Sequence, residues 1–402
     1  MLVFDAVRCT GCGACKQACP VKCIKMKEDA EGFLVPTVSE EVCMHCGLCN
    51  MVCPWQTYTG LPQKESLSAY ALKLKDNNRI MKSSSGGAFS SLAIPILEMG
   101  GYVYGCAFDN NMQARHIEIS SVADLELLHG SKYVQSDIGD CYVKAKFRIE
   151  AGALVLFSGT GCQIAGLKAY LEYTDYPNLY TIDIICHGVP SPRLFANYLE
   201  WLAKKHKGNI LAYEFRNKER TGWGLGFMAK IKTKTKTKTI YKNLIEDPYY
   251  SAFLRGDTCR ECCYSCAYAK RMRVSDITIG DYWGIQRMHS DFFSEKGVSA
   301  VLINTEKGKG LLGKALSKVE IEQASIEDIS RENGNLIRPT VRPTARNHVY
   351  AEGFSWEMFD TNSRLKSSAT AIYYLKKYLK IVLPKPLIKV IKRLSKNNRY
   401  KT

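Results

Sequence analysis

Four cysteines stand within eleven positions in CTGCGACKQACP (residues 9–20), and the spacing returns once. Cys9, Cys12, Cys15 and Cys19-Pro20 are followed by Cys43, Cys46, Cys49 and Cys53-Pro54. Thiols spaced C-x2-C-x2-C-x3-C-P hold four-iron clusters in pairs, with three ligands from one run and the fourth from the other. The spacing therefore predicts two 4Fe–4S clusters, one on Cys9, Cys12, Cys15 and Cys53, the other on Cys43, Cys46, Cys49 and Cys19. Gly11, Gly13 and Gly47 let the backbone approach the sulfurs, where amide donors tune a cluster's potential. Zinc also takes four thiolates, but structural zinc sites separate two cysteine pairs by a longer loop. Cys23 fits neither set and reads as a buried spare thiol.

Four later motifs could also do chemistry. SSSGGAF (83–89) is a turn of small residues opening a helix, whose free amides suit an anion such as a pyrophosphate; capping alone also explains such a turn. FSGTGCQIAGL (157–167) sets Cys162 at a strand-to-helix turn, where a helix N-terminus favours a thiolate. ICHGVPSP (185–192) again follows a strand. CRECCYSC (259–266), with SDITIGDYWG shortly after, carries four more cysteines. Its C-x2-C-C-x2-C spacing departs from the cube pattern. Cys259, Cys262, Cys263 and Cys266, joined by Cys162 or Cys186, therefore read either as ligands of a third cluster or as structural or redox thiols.

The elements that must hold these motifs follow from periodicity. GFLVPTVSEEV is a short strand and turn between the two cysteine runs. AFSSLAIPILEMG reads as a helix, YVYGCAF as a strand, ALVLF as a buried strand before the helical IAGLKAYLEY, and LYTIDIIC as a strand before RLFANYLEWLAKKH. LAYEFRN and SDITIGDYW extend or flank the same sheet. Such alternation predicts an α+β ferredoxin-like N-terminal module followed by an α/β domain. The expected boundaries are 1–62 for the two-cluster module, 65–345 for the α/β domain and 360–402 for a basic tail. Ligand sites in α/β sheets gather beyond the carboxyl ends of strands, where three of the later motifs fall.

Bulk properties narrow the class. With 402 residues, 46% hydrophobic and 24% charged, the chain is an ordinary soluble protein in all but its 17 cysteines. It has no leader-like start and no long apolar run, so the thiols point to a reducing, cytoplasmic compartment and to metal or catalysis. The net charge of +17 is concentrated: residues 364–402 hold twelve Lys or Arg and no acid, leaving about +5 elsewhere. No nucleic acid is expected. The alternating Lys-Thr run at 230–238 reads as an exposed edge strand or hairpin arm. In the tail, LKKYLKIVLPKPLIKVIKRL interleaves apolar residues with lysines, which suits the anionic inner face of a membrane; a solvated or partner-docking tail is the alternative.

Taken in order, SSSGGAFSSLA, GSKYVQS, FSGTGCQIAGL, ICHGVPSP and CRECCYSCAYAKRMRVSDITIGDYWGI resemble the coenzyme F420 hydrogenase/dehydrogenase beta-subunit family, over roughly residues 1–310. The resemblance implies an iron–sulfur flavoprotein in which FAD exchanges hydride with a deazaflavin or another organic substrate, while clusters exchange single electrons with a redox partner protein or small electron donor. It also implies that Ser85, Gly86 and Gly87 lie near the flavin, and that Lys132, Tyr133, Cys162 and Gln163 line the site, with Cys162 and Lys132 as catalytic candidates. Two other readings stand beside it: a carrier whose large domain only docks partners, and a cysteine-nucleophile enzyme using Cys162 with His129 or His187 as base.

Overall fold

The computed structural model describes residues 5–57, 65–243 and 246–362; the basic tail from residue 363 lies outside them. The N-terminal module is small and ferredoxin-like. Its hairpin pairs β1 (Ile24–Glu28) with β2 (Leu34–Val38) in antiparallel register, Ile24 opposite Val38. Short helices, Ala14–Ala18 and Leu48–Met51, follow the two cysteine loops. All seventeen cysteines are free thiols.

The large domain is built on an eight-stranded mixed sheet. The remaining strands are β3 (Ser68–Leu74), β4 (Tyr102–Phe108), β5 (Ala114–Ile119), β6 (Val155–Gly159), β7 (Leu179–Ile184), β8 (Gly208–Phe215), β9 (Gly226–Thr233), β10 (Thr237–Asn243), β11 (Ile277–Asp281), β12 (Ser299–Ile303) and β13 (Val319–Ala324). The sheet runs β13-β3-β12-β11-β7-β6-β4-β5. Its centre, β11-β7-β6-β4, is parallel, and the flanking pairs are antiparallel. Residues 155–157 of β6 and all of β12 are buried, as strands covered on both faces must be.

Helices cover both faces. Ala88–Glu98 and Glu306–Ala315 pack Leu92, Ile96 and Leu311 on one. On the other, Cys141–Glu150 and Gly161–Tyr170 enclose Tyr142, Phe157 and Ile164 together with Cys12 and Ala14 of the first module. A separate sheet, β10-β9-β8, packs on the helix Pro192–His206 through Phe195, Tyr198, Tyr213 and Phe227. The Lys-Thr run forms the β9–β10 hairpin. Only its second arm is an edge: Lys230 and Lys232 sit on the central strand β9, their side chains exposed on its outer side.

The carboxyl ends of the parallel strands are pinned by a buried polar network. Arg273 donates to Asp183 Oδ2 at 2.6 Å, with the two side chains 2% and 0% exposed. Asp183 Oδ1 accepts from Ser275 Oγ (2.9 Å) and Thr278 Oγ1 (2.5 Å), while Arg273 also donates to the carbonyl of Tyr268. Removing one partner leaves an uncompensated buried charge. Arg273→Met is expected to lose about 3–5 kcal/mol of stability, read as a lower urea midpoint with an unchanged slope.

Candidate functional site

The two cysteine loops take the same backbone path. Gly13 and Gly47 adopt left-handed conformations (φ 74° and 78°), and Gly11 is matched in the repeat by His45, which holds φ 56° despite its Cβ. The turn, not the residue type, is what the repeat enforces.

Cys9, Cys12 and Cys15 crowd together with Cys53. Burial pushes their thiols up, Cys12 to about 12, and neighbouring thiols of the set, Cys53 among them, push the same way. Cys19, Cys43, Cys46 and Cys49 line a second small pocket. Cys23 is indeed buried, but it lines that pocket too, its sulfur 3.3 Å from that of Cys19. Buried thiols of this kind become thiolates when a soft metal centre displaces the proton, so both four-thiol sets fit iron–sulfur clusters chemically.

Beyond the strand ends lies a cleft of about 520 Å³, within the range of organic-cofactor sites. Its floor is a hydrogen-bonded chain. His116 meets Ser158 O through Nε2 (3.1 Å) and Ser136 Oγ through Nδ1 (3.1 Å). Gln163 Nε2 donates to Ser136 Oγ, and Gln163 Oε1 accepts from Thr160 N, both at 2.9 Å. Thr160 Oγ1 lies 3.0 Å from Cys162 Sγ. One wall is the SSSGG turn and the start of the helix Ala88–Glu98, whose N-cap Gly87 (φ 87°) offers no side-chain cap. Another holds Arg216, at φ 63°, paired with Asp281 at 2.6 Å. Trp223 donates to Asp281 (2.7 Å) and stacks on Trp283 at 5.0 Å between ring centroids.

Ser85, Gly87, Lys132, Tyr133, Cys162 and Gln163 all line this cleft. Gly86 does not: it turns to the sheet, where a Cβ would meet Leu72 O and, at 2.5 Å, Ser299 N. Ser85 Oγ donates to Val298 O. Lys132 Nζ donates to the His129 carbonyl (2.6 Å), and burial lowers its pKa. The thiolate expected at Cys162 is opposed by its surroundings. Burial, then Cys266, Cys186 and Cys263, hold this thiol well above its usual range, outweighing the helix terminus. Neither candidate base pairs with it: His129 Nε2 meets Ser90 Oγ (2.9 Å) and His187 Nε2 meets Phe253 O (3.1 Å).

The third cysteine group sorts differently from its sequence spacing. Cys162, Cys186, Cys263 and Cys266 all line the cleft, and each thiol is influenced by others of the four. Cys259 is fully buried behind them, its Sγ 3.8 Å from the His187 carbonyl. Two further cleft atoms, Gln135 Nε2 and His129 Nδ1, are buried without a hydrogen-bond partner. A ligand carrying acceptor atoms would satisfy Gln135 and the uncapped Ala88–Glu98 helix start, so the cleft fits a flavin dinucleotide. Arg216, Gln135, His116 and Ser136 gave no motif signal; they come from four separate segments.

Residues 152–329 match the family described as the C terminus of the coenzyme F420 hydrogenase/dehydrogenase beta subunit, and residues 8–57 match the 4Fe-4S dicluster domain. Among curated proteins the chain is similar to the F subunit of F(420)H(2) dehydrogenase from Methanosarcina mazei, 24% identical over 190 residues, covering 44% of this chain and 53% of that one. It is also similar to the B chain of anaerobic dimethyl sulfoxide reductase from Escherichia coli, 26% identical over 132 residues, covering 32% and 57%. The chain thus spans about half the length of these relatives. Among solved structures, a component of the F420-reducing NiFe hydrogenase complex of Methanosarcina barkeri is similar with a TM-score of 0.45 and 17% identity, over 67% of this chain and 89% of that one.

His116 carries a pH signature. Burial lowers its pKa to about 4, against an opposing hydrogen bond to Ser158. The folded state therefore binds fewer protons there, so its stabilising share is full above about 6.5 and is lost as pH falls to about 4. The loss amounts to roughly 3 kcal/mol. Isothermal urea unfolding at pH 7 and pH 4.5 should show it, and His116→Gln should flatten the difference.

Proposed function

We propose that this chain, which belongs to the coenzyme F420 hydrogenase/dehydrogenase beta-subunit family through residues 152–329 and carries a 4Fe-4S dicluster domain, is an iron–sulfur flavoprotein oxidoreductase. Electrons run between 4Fe–4S clusters and FAD, with hydride exchange to a deazaflavin, coenzyme F420, or to another organic substrate. One observation carries this reading: a single cleft is lined by the SSSGG turn, by the thiols of Cys162, Cys186, Cys263 and Cys266, and by Thr10 and Gly11 of the first cysteine loop. Ligands for one-electron centres and a space of cofactor size share one wall.

In this reading Cys9, Cys12, Cys15 and Cys53 hold the inner cluster, Cys43, Cys46, Cys49 and Cys19 the outer one, and Cys162, Cys186, Cys263 and Cys266 a third beside the cleft. FAD supplies the exchange between single electrons and hydride. Ser85, Gly87 and the amides after it bind its charged portion, and Tyr133, packed on Phe253 at 4.6 Å, closes an apolar wall that keeps water out. Lys132 and Gln163 orient, since hydrogen bonds to other protein groups already occupy their polar ends. Cys46 is exposed, which suits entry of electrons from a redox partner protein at the outer cluster. Both curated relatives are named as single components of larger enzymes, which favours a protein partner.

Anaerobic reconstitution of the full chain tests this. The expected content is one FAD and about twelve irons per chain, four per cluster. Cys186→Ser and Cys263→Ser should each lower iron to about eight while flavin stays bound. A preparation rich in iron but without flavin would leave only an electron carrier.

A further inference from the structure

Arg260 stands between two thiol sets and has no carboxylate partner among the described residues. Its side chain is 3% exposed. Nε donates to the Cys9 carbonyl (2.7 Å) and Nη1 to the Leu34 carbonyl (3.0 Å), both in the first module. The guanidinium lies 5.3 Å from the centroid of the Phe33 ring. On its other side, Cys263 N donates to the Arg260 carbonyl (2.9 Å), and Arg260 lines the cleft with Cys262 and Cys263. Its Nη2 is buried without a partner. The positive charge is felt in both directions, easing ionisation of Cys9 and of Cys263.

A buried guanidinium bonded only to neutral carbonyls is costly, because carbonyl dipoles replace only part of its hydration. Most buried arginines here meet that cost with an acid: Arg273 with Asp183, Arg216 with Asp281, Arg346 with Glu31. Around Arg260 the groups able to carry negative charge are the thiols of Cys9 and Cys263. Four thiolates around an iron–sulfur cluster give a net anionic centre, and net charge is one of the terms that sets its potential.

We propose that Arg260 is the shared counter-cation of the Cys9, Cys12, Cys15, Cys53 set and the Cys162, Cys186, Cys263, Cys266 set, raising the reduction potential of both centres relative to the outer one. The inference rests on the reading of these thiols as cluster ligands. Each electron that arrives adds one negative charge to a centre, and the fixed guanidinium offsets it without proton uptake. Electrons supplied by a one-electron donor at the outer cluster are thereby drawn across the module boundary toward the cleft. Arg260 is a positioning residue, acting through the two centres it faces.

The test is a redox titration of the reconstituted full chain, followed by electron paramagnetic resonance, with Arg260→Met and Arg260→Lys beside the parent. Arg260→Met should keep iron and flavin, shift two centres to more negative potential and leave the third unmoved. Arg260→Lys, which keeps the charge but not the paired hydrogen bonds, should titrate close to the parent. Should Arg260→Met fail to take up iron, Arg260→Gln removes the charge while retaining a donor for the module contact, and carries the same expectation. Unchanged potentials in an iron-loaded uncharged variant, an equal shift of all centres, or Arg260→Lys behaving like Arg260→Met would each overturn the proposal. A parent protein that yields no iron–sulfur signal would instead overturn the functional reading beneath it.

Discussion

Everything at the site depends on how closely the first cysteine loop is seated on the helix Gly161–Tyr170. A Cβ on Gly166 would stand 3.0 Å from both the Cβ and the sulfur of Cys12 and 3.0 Å from Tyr142 Oη. Helix and loop therefore meet without an intervening side chain. Around that contact, Gln17 accepts from the amides of Tyr142 (2.9 Å) and Val143 (3.2 Å), and Leu34 N donates to Gln135 (3.0 Å). Arg346 clasps Glu31, with Nη1 at 2.8 Å, while donating to the Cys259 carbonyl. Tight packing makes such an interface intolerant of even one added methyl group. It also brings the inner thiols into the same apolar cluster as Cys162 and Cys266.

The same helix serves both partners. Its N-terminal turn, tied by Gln163 to Thr160 and Ser136, presents Cys162 to the cleft; its middle receives Cys12. A rigid element with a thiol set at each of two faces fixes their separation. That is what a path for single electrons requires, since transfer cannot rely on thiols that wander. The buried Arg273–Asp183 network then holds the carboxyl end of β7 and the segment after Cys266 in place from the opposite side.

Much of the fold was legible along the chain because its signals are local. Continuous apolar runs gave β6 and β7, and small residues with an expected left-handed glycine opened the helix at Ala88. The flanking antiparallel strands β3, β12 and β13 were less visible, because their partners lie far away: β3 pairs with β12 and β13, more than two hundred residues on. Gly86 shows the limit within a motif. Its position in SSSGG suggested contact with a ligand, yet its missing side chain makes room for the β3 and β12 backbones.

The cysteine spacing by itself determined that two crossed thiol sets must exist, since C-x2-C-x2-C-x3-C-P constrains loop geometry within a few residues. It could not decide the third set. C-x2-C-C-x2-C offers four adjacent thiols, but Cys259 is turned inward, and Cys162 and Cys186 come to Cys263 and Cys266 from the ends of β6 and β7. Only the tertiary structure made that choice, because the distance between thiols from separate strand ends is set by sheet order. The place of Arg260 was equally hidden: in sequence it is one residue among cysteines, and in the fold it is a buried cation with a thiol set on each side.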